Sequence, residues 1–219
     1  MRPFTFPNRS EAGRALAAEL SHYADRPDVV VLALPRGGVP IGFEITRTLH
    51  APLDIFLVRK LGVPGHEELA MGAIASGGIR VLNEVVIHQL EITEDQIEEV
   101  AHSERLELER REQAFRRGVP PVLVFNHLCI LVDDGLATGS TMRAAVLALN
   151  QQKPKRLVVA VPVAASETCA EFEPLVDEVV CLYTPEPFFA VGHWYDEFSQ
   201  LTDEEVREYL ERATHEMAH

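Results

Sequence analysis

Residues 128–141 read Leu128-Cys129-Ile130-Leu131-Val132-Asp133-Asp134-Gly135-Leu136-Ala137-Thr138-Gly139-Ser140-Thr141. The opening apolar run has strand length and suits a strand buried on both faces, as in parallel sheets. Two acids end it. Adjacent strand residues start in opposite directions, so both carboxylates reach one ligand only if the chain leaves strand geometry there, and Gly135 permits that. Residues 137–141 are small and hydroxylated and lead into a helical pattern running to Asn150. Backbone amides at a helix start, with the Thr138, Ser140 and Thr141 hydroxyls, form a cup for a phosphate monoester. Carboxylates suited to vicinal hydroxyls or a cation, beside a phosphate cup, are what a sugar phosphate requires. The segment is not a Walker A loop, because G-x-x-x-x-G-K-[ST] is absent.

The same reading extends outward. Val29–Leu34, Leu53–Val58, Arg156–Val161 and Glu178–Tyr183 are predicted strands, the second ending in Arg59-Lys60. Helices are predicted over 10–24, behind Asn8 and Glu11, and over 40–49 from Pro40. A short helix is capped by Ser166, and a last one runs over 203–215 behind Thr202 and Glu205. Residues 61–69 read as a loop. Met71–Ala75 and Ile79–Leu82 pair as a hairpin across Ser76-Gly77-Gly78. Thr93 and Gln96 open a charged helix that Gly118-Val119-Pro120-Pro121 stops, and its mixed charges read as a solvated flap over about 84–121. Residues 184–219 form a C-terminal hood. Strand–helix alternation predicts one α/β domain over 1–219, a mainly parallel sheet with helices on both faces. Ligands in such sheets sit outside the carboxyl ends of the strands, where the strand order switches. The loop after the first strand, Leu34-Pro35-Arg36-Gly37-Gly38-Val39-Pro40, is then the natural partner of the acid pair.

Composition narrows the partners. The 219 residues are 47% hydrophobic and 25% charged, with a net charge of −14. A chain this acidic is a poor match for duplex DNA or an anionic membrane surface, which are bound through Lys and Arg. Cys129, Cys169 and Cys181 are an odd count without a C-x-x-C pair, a pattern that excludes a disulfide framework and common cysteine zinc sites. His66, His127 and His193 show no metal spacing. The N-terminus has no apolar signal region, and Leu157–Ala165 is too short to span a bilayer. A soluble, cytoplasmic protein is expected.

Val132–Thr141 resembles the phosphoribosyl-pyrophosphate (PRPP) signature of type I phosphoribosyltransferases: a strand, two acids, two mostly apolar residues, then hydroxyl residues around a glycine. Gly135 departs from the usual branched aliphatic. The first loop resembles the family's pyrophosphate loop, and the resemblance spans residues 29–183 in order. Val58-Arg59-Lys60 with Pro64-Gly65 looks most like the adenine-specific branch. The whole resembles stand-alone bacterial phosphoribosyltransferase-domain proteins whose acceptor is unassigned.

The resemblance implies the type I phosphoribosyltransferase fold with a small hood and flap. It implies a catalytic set of Arg36, Lys60, Asp133 and Asp134. Asp133 and Asp134 would hold the ribose hydroxyls and, indirectly, Mg2+. Ala137, Thr138, Gly139, Ser140 and Thr141 would bind the 5′-phosphate. Arg36, Gly37, Gly38, Arg59 and Lys60 would bind pyrophosphate, often through a cis peptide in the first loop. Gly135, Leu136, Phe188 and Phe189 are the acceptor candidates, with Trp194 and Tyr195 nearby. The hypoxanthine-guanine branch carries an aspartate where Ala137 stands, so that branch is disfavoured, and Glu67 and Glu68 become candidates for the missing acid or base. The expected partners are PRPP and a small nitrogenous acceptor, and the expected assembly is a homodimer, with no nucleic acid or membrane. A non-catalytic PRPP or nucleotide sensor on the same fold is the alternative.

Overall fold

The computed structural model describes residues 4–217. Helix α1 (Arg9–Glu19) starts behind Asn8, whose side chain accepts the Glu11 N–H and satisfies an open amide of the first turn. It ends at Glu19, short of the expected 24, and a 3-10 turn covers Ser21–Tyr23. Strand β1 (Val29–Ala33), helix α2 (Gly38–Leu49) and strand β2 (Leu53–Ile55) follow. The predicted second strand is therefore too long. The chain bends at Phe56 and Leu57, whose amides donate to the Ala33 carbonyl and the Ser76 hydroxyl. Arg59 and Lys60 then lie inside a new strand, β3 (Val58–Val63), instead of at a strand end.

Strands β3, β4 (His66–Ala75) and β5 (Ile79–Leu82) form a separate antiparallel sheet. Most of the predicted 61–69 loop is thus ladder, turning only at Pro64 and Gly65, the latter at φ +78°. The β4–β5 hairpin matches expectation. Helix α3 (Glu84–Gln89), capped by Asn83, was not anticipated.

Helix α4 (Glu94–Arg116) begins at the predicted Thr93–Gln96 capping box. It is not the solvated flap its charges suggest. Ile97, Ala101, Leu108 and Phe115 are buried along one seam. At its end Arg116 pairs with Asp54 at 2.9 Å, both side chains at most 10% exposed. Strand β6 (Leu128–Val132), helix α5 (Ser140–Gln151), strand β7 (Arg156–Val163), helix α6 (Ser166–Phe172), strand β8 (Glu178–Tyr183) and helix α7 (Asp203–Met217) complete the chain. Ser166 is the first helical residue; the cap is Ala165, without a side-chain bond. Helix α7 does start at the predicted Thr202–Glu205 pair. It packs on α2 and α4.

The main sheet has five parallel strands in the order β2-β1-β6-β7-β8. Alternate residues face opposite ways. Val29, Val31, Ala33, Ile130 and Val132 share one core cluster with residues of α1 and α2, while Val30, Leu32, Cys129 and Leu131 share another with residues of α5 and α6. Both faces are covered, which is why these strands read as unbroken apolar runs.

The cysteine expectation needs correction. Cys169 on α6 and Cys181 on β8 form a disulfide, leaving Cys129 as the free, buried thiol. Consecutive elements of the α6–β8 crossover bring together two cysteines 12 residues apart, which spacing alone does not reveal. Among the described residues, no helix is long and apolar enough to cross a membrane.

Candidate active site

Strand order reverses between β1 and β6: the chain leaves β1 for β2 on one side and returns to β6 on the other. Ligand crevices form at such a switch point. The register pairs Ala33 with Val132, the last residue of each strand. Both motif-bearing loops therefore leave the sheet at one level. The Leu34 amide donates to the Val132 carbonyl at 2.9 Å, tying the two exits together.

The glycine pair of the first loop is explained by close approach. Gly37 has ordinary right-handed helical angles, φ −62° and ψ −34°. A β-carbon on it would overlap the Asp134 carboxylate, and one on Gly38 would lie 2.6 Å from the Val132 carbonyl oxygen. The Pro35–Arg36 peptide within the first loop is cis, as the resemblance implies. The Arg36 guanidinium faces the C-terminal segment: its Nε donates to Asp203 Oδ1 at 2.8 Å and its Nη1 to the Leu201 carbonyl at 3.1 Å.

Asp133 and Asp134 are set back from solvent. Asp133 Oδ1 accepts the Asp134 N–H at 2.8 Å. Burial, followed by the neighbouring Asp134 charge, pushes Asp133 well above the usual carboxylate range. Burial also raises Asp134, which Arg9 opposes. Arg9 went unnoticed in the sequence. Its Nε and Nη2 each lie 2.9 Å from Asp134 Oδ2. Tyr195 was noted only as one of a cluster of aromatics; its hydroxyl donates to the Asp134 carbonyl at 2.6 Å.

Beyond the acids, Ala137, Thr138, Ser140 and Thr141 line the rim of the site, all four exposed. Gly139, at φ +65°, is the N-cap of α5, and a side chain there would also strike Phe172 and Thr168. No acidic residue or side-chain cap occupies the first turn of α5. Its open amides are thus free for an anion. Thr168, on α6, holds the cup from behind by donating to the Ala137 carbonyl at 2.8 Å.

Strand alternation separates the two cations of β3. Lys60 lines a cleft of about 610 Å³ with Thr138, Ser140 and Thr141. Arg59 is paired with Glu104 of α4 and is not among the residues lining that cleft. Lys60 therefore faces the cleft onto which the cup opens and Arg59 does not, while both line a second cleft beside Glu67, Glu68 and Glu104. Glu67 and Glu68 lie exposed near the β3–β4 turn, where Lys60 donates to the Glu68 carbonyl at 3.1 Å.

The acceptor candidates divide. Leu136 is 2% exposed, and its backbone N–H and C=O bond Val163 and Ala165, so it offers no surface to a ligand. Gly135 is buried too: a β-carbon would lie 2.7 Å from Val191 Cγ1. Its glycine permits close packing instead of freeing the acid pair from strand geometry. Phe188 stacks on Trp194 at 6.4 Å within a small aromatic core, and Phe189 is 73% exposed. That core joins the segment before α1 to the segment between β8 and α7, with Phe6 bridged to Tyr195.

Comparison with known proteins agrees with this geometry. The phosphoribosyl transferase domain family matches residues 5–193. Rv0571c of Mycobacterium tuberculosis H37Rv, provisionally named a phosphoribosyl transferase, is 44% identical over 213 residues, 97% of this chain and 48% of the relative. The chain thus spans about half the length of the curated relatives it matches. The crystal structure of TT1426 from Thermus thermophilus superposes with a TM-score of 0.84 at 40% identity, covering 94% of this chain and 98% of that one. A hypothetical protein from Neisseria gonorrhoeae with bound ppGpp shares the fold alone, at 15% identity and a TM-score of 0.53 over 95% and 94% of the two chains. With two matched loops meeting at the switch point and a family match over most of its length, the chain belongs to the phosphoribosyl transferase domain family and has the type I phosphoribosyltransferase fold.

Proposed function

We propose that the chain transfers the 5-phosphoribosyl group of PRPP to a nitrogenous acceptor, with a nucleobase as first candidate, and releases pyrophosphate. The observation that carries this reading is the contact of Gly37 with the Asp134 carboxylate, which joins a pyrophosphate loop to a diol-binding acid pair. In the reaction a bond forms between the acceptor nitrogen and the ribose anomeric carbon. The bond from that carbon to the pyrophosphate oxygen breaks, and its electron pair leaves with pyrophosphate. The acceptor's proton passes to a base or to solvent. The transition state resembles an oxocarbenium ion, with negative charge building on the leaving group, so cations and amides aimed there lower the barrier.

The residues fit magnesium carried in by the substrate. Magnesium uses one or two carboxylates together with substrate phosphates, and Asp133 and Asp134 are such a pair. Among the described residues no cluster of three or more His, Cys, Asp or Glu forms a cage. When bound, the ion would neutralise charge on the pyrophosphate. Arg36 serves the pyrophosphate after exchanging Asp203 for it. Lys60 and the cup hold the 5′-phosphate end. Ala137 supplies no carboxylate, so hypoxanthine and guanine are the least suitable acceptors. A cytoplasmic homodimer is the expected working form, by analogy with type I enzymes.

The test is pyrophosphate release from PRPP across a panel of bases and amines, with and without magnesium. Release should need both acceptor and magnesium and should be lost in Asp134→Asn. Equal PRPP affinity with and without magnesium, or an unaffected Asp134→Asn, overturns the reading. In the same assay Lys60→Ala should raise the KM for PRPP roughly tenfold, the worth of one charge-assisted bond. Arg59→Ala should leave that KM unchanged, because its guanidinium serves Glu104.

A further inference from the structure

We propose that Arg9 is the positioning residue of the ribose site, acting through Asp134 and anchored by the hood. The proposal rests on the phosphoribosyl-transfer reading, since it concerns the carboxylate assigned there to the ribose.

Arg9 opens α1 yet acts 125 residues away. Every polar edge of its guanidinium is committed. Nε and Nη2 converge on Asp134 Oδ2 at 2.9 Å, and Nη1 donates to the Ser199 carbonyl at 2.8 Å. The plane lies over the Phe198 ring, 3.9 Å from its centroid. Phe198 in turn stacks on Tyr195 at 5.0 Å. Side-chain exposures of 12% for Arg9 and 16% for Asp134 mark a shielded pair, unlike most of the surface ion pairs elsewhere in the chain. Shielded, charge-assisted bonds of this geometry are the strong ones.

The contact leaves Asp134 half free. Among the described residues no protein donor bonds its Oδ1, while Oδ2 is held by Arg9. Tyr195 fixes the same residue from the other end, through its carbonyl. Both holding groups come from one unit, because Phe6 and Pro7 pair with residues 194–197 along the backbone. Asp134 is thereby clamped at its carboxylate and its main chain, with one oxygen left to accept a ribose hydroxyl. Lysine cannot reproduce the clamp, since a point ammonium lacks the planar fork and the stacking face.

The experiment measures binding of PRPP with magnesium, of a nucleoside 5′-monophosphate and of inorganic pyrophosphate with magnesium to the full chain. The variants are Arg9→Gln, Arg9→Lys and Tyr195→Phe, with melting temperatures as the folding control. Arg9→Gln should weaken both ribose ligands about tenfold to a hundredfold, the range for a charge-assisted bond. Pyrophosphate should bind within about twofold of wild type, because Arg36 and its loop are untouched. Arg9→Lys should recover only part of the loss, and Tyr195→Phe should weaken the ribose ligands by up to about tenfold. Equal losses for pyrophosphate and the ribose ligands, or losses that track the melting temperature, would make Arg9 a fold staple and overturn the proposal. Unchanged ribose binding in Arg9→Gln overturns it while leaving the transferase reading intact. Failure of wild type to bind either ribose ligand overturns both.

Discussion

Asp133→Asn should make the protein more stable at neutral pH while lowering phosphoribosyl transfer at least about a hundredfold. The two effects have one cause. Burial and the adjacent Asp134 hold Asp133 above the usual carboxylate range. In the unfolded chain the same group loses its proton near ~3.9. Between that value and the raised folded one, the folded state binds more protons, so stability falls as pH rises through the window. Above it the folded state carries the full cost of a buried charge. Asparagine has no such charge, and its Oδ1 can still accept the Asp134 N–H that Asp133 accepts at 2.8 Å. A gain of about 1–2 kcal/mol is typical when functional strain is removed, or roughly 2–8 °C in a domain of this size. Thermal melts at pH 8 and near pH 4 check the sign: the gain should be largest at pH 8 and shrink towards pH 4. A variant less stable at both values would show that the carboxylate is held for folding.

Gly37→Ala should lower activity by a comparable amount. Its backbone angles are those of any helical residue, so no conformational penalty applies. What alanine brings is a methyl group on top of the Asp134 carboxylate. Either the pyrophosphate loop or the acid must move. Overpacking of this kind costs about 1–3 kcal/mol, and ångström-scale misplacement costs about a hundredfold in rate. Combining Gly37→Ala with Asp134→Ala tests the contact itself. The double variant should regain the denaturation midpoint lost in the glycine variant, a non-additivity expected only of touching residues. It should remain inactive. Additive losses in the midpoint would place the strain elsewhere.

The site was legible where its parts are local. Strand β6, the acids and the α5 start are contiguous, so one segment displays the apolar run, the charge pair and the cup. Strands β6 and β8 have the predicted bounds because both are short, apolar and flanked by polar residues. The β2–β3 boundary was hidden because residues 53–58 are apolar apart from Asp54, and the bend at Phe56 is made by hydrogen bonds to distant residues. The seam of α4 was masked by its charges, since only Ile97, Ala101, Leu108 and Phe115 are buried along it. Alternation along β3 would have warned that only one of Arg59 and Lys60 reaches the cleft lined by Thr138, Ser140 and Thr141. Nothing near Arg9 marks it, because its partner is set by the folding of the segment before α1 and the β8–α7 connection into one aromatic core.

The register that ends β1 and β6 together at Ala33 and Val132 separates two kinds of inheritance. The spacing between the pyrophosphate loop and the acid pair is a main-chain dimension, fixed by a hydrogen-bonded ladder and not by which side chains fill the layers above and below it. The aromatic core around residues 183–198 belongs to a different part of the chain and meets this frame through a few contacts at Asp134, Gly135 and the end of β7. On the proposed reading, drift in the part of that core away from Tyr195 and Phe198 would redraw the choice of acceptor without disturbing the hold on Asp134. A chimera carrying a relative's residues 184–194 on this sheet, with the Asp134 clamp residues Tyr195, Phe198 and Ser199 retained, should keep its donor requirements and exchange its acceptor preference.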